Sequence, residues 1–168
     1  ESLKDATLDP RPMMFTGVHI LEPSMLDRIP SDGAPCVVRT AYVDAFREGR
    51  VGAFVTRDYW WEHSTIERYL TGVGNVLQGS VNRPWWDAET RAEHEARGRA
   101  CGATVTGPLW LGSEVELGAR VTLGAGCQLE SGVRVADEVS MRRGVAWHGA
   151  HVAESFEAGV WTSAGLTR

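Results

Sequence analysis

The chain has 168 residues, a formal net charge of −5 and a hydrophobic content of 43%. An acidic chain gives no electrostatic reason to expect nucleic acid, so we predict no nucleic-acid partner. No apolar run approaches ~18 residues, so the sequence predicts no membrane span, and it does not open with a secretory signal pattern. The length suits one or two small domains, and the apolar content supports a packed core.

The three cysteines, Cys36, Cys101 and Cys127, show no C-x-x-C spacing. An odd and scattered set of cysteines argues against a disulfide framework and against a zinc site. It favours a reducing compartment, so we predict a cytoplasmic protein. Cys127 falls on a position that we predict to face a core, where it would act as a small apolar residue.

Residues 1–79 alternate strand patterns with helix patterns. After a connecting arm over 1–12, the sequence predicts a buried strand over 13–21 and a second strand over 50–62 that runs into an aromatic cluster. Apolar spacing, with Gly and Pro as end signals, predicts helices over 22–30, 37–49 and 65–79. Alternating helices and buried strands indicate an α/β domain. Two strands are too few to close a sheet, so this part is predicted to be the tail of a larger α/β domain.

Residues 80–100 are polar and charged apart from Trp85 and Trp86. Such a composition is typical of a solvated linker or a short helix. We expect the tryptophan pair to anchor this segment to one of its neighbours. His94 lies between carboxylates but has no partner at metal-ligand spacing.

A six-residue period organises residues 105 to 147. Position one of each six is apolar throughout, at Val105, Leu111, Leu117, Leu123, Leu129, Val135, Met141 and Trp147. Position five is apolar and fairly small, at Leu109, Val115, Val121, Cys127, Val133, Val139 and Val145. Positions five and one lie two apart, as on one face of a strand, and small residues between them mark turns. The constant six-residue period favours a parallel β-helix over a meander of hairpins, whose turns vary in length.

The period slips after Trp147. Val152 falls one residue late, which predicts a one-residue insertion at a corner of the solenoid. Phe156, Val160 and Trp161 would then form an irregular cap, as is usual at the end of a repeat array.

The order of these elements resembles the C-terminal half of the sugar-1-phosphate nucleotidyltransferases, most closely the mannose-1-phosphate guanylyltransferase (GDP-mannose pyrophosphorylase) branch. Phe15 to Leu21 match the family strand F-x-G-[IV]-[HY]-[IV]-[LF]. Tyr59 to Leu70 stand where the family has G-x-W-x-D-x-G-T-P-x-x-Y-L, and hexapeptide coils follow. The resemblance covers roughly residues 13 to 147, and the combination is more specific than any single motif.

The resemblance implies an α/β part followed by an all-β part. Residues 1–79 would be the C-terminal part of a Rossmann-like nucleotidyltransferase domain, 80–100 a linker, and 101–168 a left-handed parallel β-helix. The reaction it implies is NTP plus sugar 1-phosphate to NDP-sugar plus pyrophosphate, with GTP and mannose 1-phosphate as the expected pair. The family's motifs place Gly17 and Trp60 against the sugar and Glu62 as a ligand of Mg²⁺ in the intact protein.

Three positions depart from the family motif. Its metal-binding Asp falls at Glu62, one methylene longer, and its Gly and Pro fall at Ser64 and Ile66. Glu62 could therefore serve as a metal ligand or as a helix-capping residue. The family's Gly-rich loop G-x-G-T-R-x-x-P and the lysine of its E-K-P motif do not occur in the sequence. Because those groups hold the triphosphate and the sugar phosphate, we expect no catalytic residue in this chain and no catalysis by it alone.

Two other functions stay open at this level. A hexapeptide-repeat acyltransferase would use a histidine between subunits as its base, for which His148 and His151 are candidates. A non-catalytic regulatory subunit of the nucleotidyltransferase family would agree with the altered motif. In the nucleotidyltransferase family the solenoid would be an assembly or regulatory module, so we expect homo-oligomers, or pairing with a paralogue, through residues 105–168.

Overall fold

The structure is a computed structural model that describes residues 14–168, and the connecting arm predicted over 1–12 lies outside the described residues. The chain divides into a first unit that ends at Trp60 and a second unit, Trp61–Arg168. The helices are α1 (Pro23–Leu26), α2 (Ala41–Arg47), α3 (Ile66–Leu77) and α4 (Ala88–Ala100). The strands are β1 (Thr104–Thr106), β2 (Leu109–Leu111), β3 (Glu116–Leu117), β4 (Thr122–Gly124), β5 (Cys127–Leu129), β6 (Arg134–Val135), β7 (Ser140–Ala146), β8 (His151–Val152), β9 (Phe156–Thr162) and β10 (Gly165–Thr167).

The first unit has a small core where α1 packs against α2. Met25, Ala41 and Ala45 are buried there. The strands predicted over 13–21 and 50–62 are wrong for their described residues, which form no strand. A strand exists only when a neighbouring strand takes up its backbone hydrogen bonds, and apolar alternation alone does not provide one.

The second unit is built on a parallel β-helix of about three coils. Thr104 pairs in parallel with Thr122, and Thr122 with Ser140, so the first two coils are 18 residues long. Strands β3, β6 and β8 form one sheet, and the other strands form a second sheet that bends around a corner through the long β7. The predicted parallel β-helix is therefore confirmed, whereas its left-handed sense stays a prediction.

The inside of the coils is filled by the residues at positions one and five. Leu109, Val121, Leu123, Cys127 and Leu129 are fully buried, with exposures of 0%. Leu117, which was also predicted to point inward, packs on the core but is only half-buried. Burial raises the pKa of the Cys127 thiol to about 12, which agrees with its predicted role as an inert core residue.

The offset between stacked positions becomes one residue shorter within β7. Gln128 pairs with Val145 and Leu129 with Ala146, an offset of 17 instead of 18. The predicted insertion after Trp147 is therefore wrong: the slip is a deletion, and it lies before Trp147, between Met141 and Val145. Ala146 takes the inward position, with an exposure of 0%, while Trp147 is 48% exposed.

Helix α4 covers the open end of the first coil, within the segment for which a linker or a short helix was predicted. The Leu111 N–H donates to His94 Nδ1 at 3.0 Å. The Arg97 guanidinium donates to the carbonyls of Leu111, at 3.2 Å, and Gly112, at 2.9 Å. These contacts occupy backbone groups that the next coil of a solenoid would otherwise take, which protects the edge. The division of the chain at residues 79 and 100 stays a prediction.

Helix α3 covers one outer face of the coils. Leu70, Val73 and Leu77 of the helix form a buried cluster with the outward-facing Val145 and Val160 of the solenoid. Trp86 joins this cluster with an exposure of 2%, and its indole N–H donates to the Leu77 carbonyl at 3.2 Å. The predicted anchoring role thus belongs to Trp86, while Trp85 is 59% exposed.

The stability of the second unit is expected to fall as the pH falls from 7.5 toward 5. Burial, aided by the Arg97 charge, lowers the pKa of His94 below its ordinary 6.5. The unfolded chain therefore binds a proton at a higher pH than the folded chain, and stability is lost as the pH drops through 6.5 toward the folded pKa. The midpoint of urea unfolding, measured at a series of pH values, should show this slope. In His94→Gln the amide oxygen can still accept from Leu111, so the slope should flatten, and an unchanged slope would contradict the assignment.

Candidate functional site

Gly17 and Trp60 lie in the first unit. The Trp60 indole N–H donates to the carbonyl of Thr16 at 3.3 Å, so the structure brings Trp60 next to the Gly17 segment. Gly17 has a φ of +79°, which a side chain would strain, and nothing lies within 4 Å of where its Cβ would be. The backbone at Gly17 is therefore open to approach. A role of either residue in sugar binding stays a prediction.

Glu62 lies just beyond the unit boundary, in an exposed loop before α3. Its carboxylate is 3.3 Å from the Arg68 guanidinium, and Arg68 Nε donates to the Glu62 carbonyl at 3.1 Å. A cation would have to compete with Arg68 for the carboxylate. In the described part of the chain, no three His, Cys, Asp or Glu side chains gather as a metal cluster. The Mg²⁺-ligand role of Glu62 therefore stays a prediction.

The two histidines considered for acyl transfer are exposed on the third coil. His151 begins β8 in register with Arg134, outside the solenoid. The backbone N–H of His148 donates to the Glu130 carboxylate at 2.9 Å. Neither contact gives a histidine the buried, oriented setting of a general base.

The loop before α3 is held to the helix by its own side chains. Thr65 caps the helix, accepting from the Arg68 N–H at 3.2 Å. The Trp61 indole N–H donates to the Arg68 carbonyl at 2.7 Å. A Cβ on Gly72 would come within 2.5 Å of the His63 ring and 2.9 Å of the Trp61 ring. A glycine at position 72 therefore lets both rings lie against the helix.

A cleft of about 730 Å³ lies between the start of α3 and one corner of the solenoid, entirely within the second unit. We call it the corner cleft. One wall comes from the loop and the first turns of α3: His63, Ser64, Thr65, Ile66 and Tyr69. The other comes from the solenoid: Glu130, Trp147, Val160, Thr162 and Thr167. This volume is within the range of small-molecule sites.

The solenoid wall of the corner cleft is a stack of residues from successive coils. Glu130 follows β5 and Trp147 follows β7; the Glu130 N–H donates to the Ala146 carbonyl, and the Trp147 N–H to the Trp161 carbonyl, each at 2.9 Å. One carboxylate oxygen of Glu130, Oε2, is engaged by the His148 N–H at 2.9 Å. The other is bound by no described residue. The cleft thus offers an exposed indole beside a carboxylate oxygen that can accept hydrogen bonds.

Sequence reasoning missed this cleft because it placed Trp147 in the core. The break in the six-residue period was the available signal, because a residue that no longer fits the repeat need not point into the core. Val145 was misplaced for the same reason, and it faces α3 instead of the interior. Positions that break the pattern of an otherwise regular sequence often belong to functional sites.

Comparison with known proteins does not supply a function. The chain matches no known family, no curated protein and no solved structure. Among the described residues no helix is both long and apolar enough to cross a membrane. The parallel β-helix, with the irregular third coil and the corner cleft beside it, is what characterises this chain.

Proposed function

We propose that the chain is part of a nucleotide-sugar synthase that joins a sugar 1-phosphate to an NTP and releases pyrophosphate, with mannose 1-phosphate and GTP as the expected pair. The observation that carries the proposal is the junction between the motif and the solenoid. The stretch Trp60 to Thr65 leads into α3, and α3 packs on a parallel β-helix. The same order, motif then helix then hexapeptide coils, underlies the sequence resemblance.

The surface of the first unit supports a larger catalytic assembly. Ile20 is 99% exposed and Phe54 is 94% exposed, and Val18 is 76% exposed. Large apolar side chains exposed in this way favour contact with further polypeptide. In the proposal that polypeptide supplies the sheet that residues 13–21 and 50–62 would join, together with the Gly-rich loop and the E-K-P lysine that this sequence lacks.

Each residue of the proposed site has a limited role. The open backbone at Gly17 would allow close approach of the sugar, and the Trp60 ring would pack on its apolar face. Glu62 fits a Mg²⁺ site, because Mg²⁺ is usually held by one or two carboxylates plus substrate phosphates and water. When bound, Mg²⁺ would offset the negative charge of the phosphates during transfer. The solenoid would serve assembly, with a second copy or a paralogue.

We expect Glu62→Gln to reduce Mg²⁺-dependent turnover more strongly than it reduces binding of the sugar phosphate. The change keeps the size of the side chain and removes the charge that a hard cation requires. Pyrophosphate release should be measured against Mg²⁺ concentration in protein made from its natural reading frame, with GTP and mannose 1-phosphate. Glu62→Asp should be tolerated, because it restores the residue that the family motif has at this position.

The matched control is Glu67→Gln, which removes a second exposed carboxylate nearby, one that pairs with Arg143 at 2.7 Å. It should leave the Mg²⁺ titration unchanged. An unaltered titration for Glu62→Gln would remove Glu62 from the site and leave only its ion pair with Arg68, since the capping residue of α3 is Thr65. Absence of pyrophosphate release with every NTP and sugar phosphate tried would refute the synthase, and activation of a co-purified nucleotidyltransferase would then favour the regulatory subunit.

A further inference from the structure

We propose that the corner cleft is a binding site for a neutral sugar ring, separate from the site assigned to the synthase reaction. The inference goes beyond the proposed function because none of its residues is Gly17, Trp60 or Glu62. It depends on an exposed aromatic face, on a hydrogen-bond acceptor and donors set on opposite walls, and on the size of the cleft.

Trp147 supplies the aromatic face. Its side chain is 48% exposed although it lies beside a fully buried position of the third coil. The shortened coil moves it out of the core and onto the corner, where it lines the cleft with Tyr69 across from it. An indole face is apolar and polarisable and packs well against the C–H groups on one side of a pyranose ring.

The polar groups of the cleft favour a ligand that both donates and accepts hydrogen bonds. On the solenoid wall, the unengaged oxygen of Glu130 can accept from a hydroxyl group. On the helix wall, the first N–H groups of a helix have no partner within it, and Thr65 takes up only the N–H of Arg68. The N–H group of Ile66, which lines the cleft, can therefore donate.

The charges of the two walls oppose each other, which selects against ions. A phosphate would be attracted to the start of α3 but repelled by Glu130. A cation would be attracted to Glu130 but repelled by the positive end of the helix. A sugar hydroxyl can donate to the carboxylate and accept from the helix N–H groups, so a neutral polyhydroxylated ring satisfies both walls at once.

The remaining lining fits such a ring. Hydroxyl groups come from Ser64, Thr162 and Thr167, and Val160 adds an apolar contact. Thr162 is already held in place, since it donates to the Gly165 carbonyl at 3.3 Å and accepts from the Ala164 N–H at 3.1 Å. A cleft of about 730 Å³ has room for one or two rings.

Saturation-transfer NMR of the full chain with methyl α-glycosides of mannose, glucose and galactose tests the proposal. We expect at least one glycoside to bind, with a dissociation constant on the order of 1 mM. Trp147→Ala should weaken that binding at least about tenfold, while Trp147→Tyr, which keeps an aromatic face, should retain most of it. Glu130→Gln should weaken it by a smaller factor, because an amide oxygen still accepts.

The matched control is Trp85→Ala, which removes another exposed indole of the second unit, 59% exposed and outside the cleft. It should bind the glycoside as the unchanged chain does. Circular dichroism of each variant shows whether the fold is kept. No binding of any glycoside, or equal binding by Trp147→Ala, would overturn the proposal. Competition by inorganic phosphate would also overturn it, in favour of an anion site. None of these readouts depends on synthase activity, so this proposal and the proposed function can fail separately.

Discussion

Replacing Leu123 by Asp should abolish the cooperative thermal unfolding of the second unit. Leu123 is 0% exposed and stacks between Val105 and Met141 of the neighbouring coils. No described side chain at this level of the core can pair with a carboxylate, and an uncompensated buried charge costs on the order of 3–5 kcal/mol. Added to the packing lost with the leucine, about 2–5 kcal/mol, this cost is comparable to the whole stability of a small domain. Circular dichroism during heating measures the effect.

Two further variants keep this prediction informative if the charged variant does not fold. Leu123→Ala leaves a cavity and should cost about 2–5 kcal/mol while preserving a measurable transition. Thr104→Asp places the same charge on an exposed position of β1 and should cost no more than about 1 kcal/mol. If Leu123→Asp melted like the unchanged chain, Leu123 would not lie in the core.

Gly112→Ala is the second change for which we expect a large loss of stability. A Cβ at this position would lie 2.4 Å from the backbone nitrogen of Ser131 and 2.7 Å from the carbonyl carbon of Glu130. Both atoms belong to the backbone of the next coil, so they cannot rotate away as a side chain would. The coils would have to separate at this corner, which should cost about 3 kcal/mol or more.

The matched control is Gly74→Ala, at a half-buried position of α3. Its added Cβ would meet only the Gln78 amide nitrogen, at an ordinary 3.7 Å. Alanine is favoured over glycine inside a helix by about 1 kcal/mol, so this variant should be slightly more stable than the unchanged chain. Urea unfolding of the two alanine variants should move the midpoint in opposite directions. Equal midpoints would mean that the coils are not closely stacked at Gly112.

The β-helix could be predicted because its information is local and repeated. Each six residues carry the same inward pair, so the inward set from Leu109 to Met141 follows from the period alone. The place and direction of the slip could not be predicted, because Val145 and Trp147 are apolar and fit the unbroken period. Val145 is apolar because α3 covers it, and Trp147 is large because it lies at the corner cleft. In the sequence, both residues are therefore indistinguishable from residues of the solenoid core.

In the first unit, the local sequence pattern predicted strands that its described residues do not form. Its apolar alternation over 13–21 and 50–62 indicates what these segments would do beside other strands, and no such strands occur in the described part of the unit. The broken period could have pointed to Trp147 but not to the opposite wall of the corner cleft, since Ser64 and Glu130 are brought together only by the packing of α3 on the coils. Pairing of distant segments is a tertiary property that local patterns do not contain.

The decreasing coil length also limits how this protein can grow. The offset between parallel-paired residues is 18 from Thr122 to Ser140, 17 from Gln128 to Val145, and 15 from Met141 to Phe156. The last turn then folds back as β10, which runs antiparallel to β9. Because the last coil is shorter and its chain turns back on itself, a further coil of 18 residues could not pair with it strand by strand. An additional coil of 18 residues would therefore be accommodated among the first two coils and not at this end.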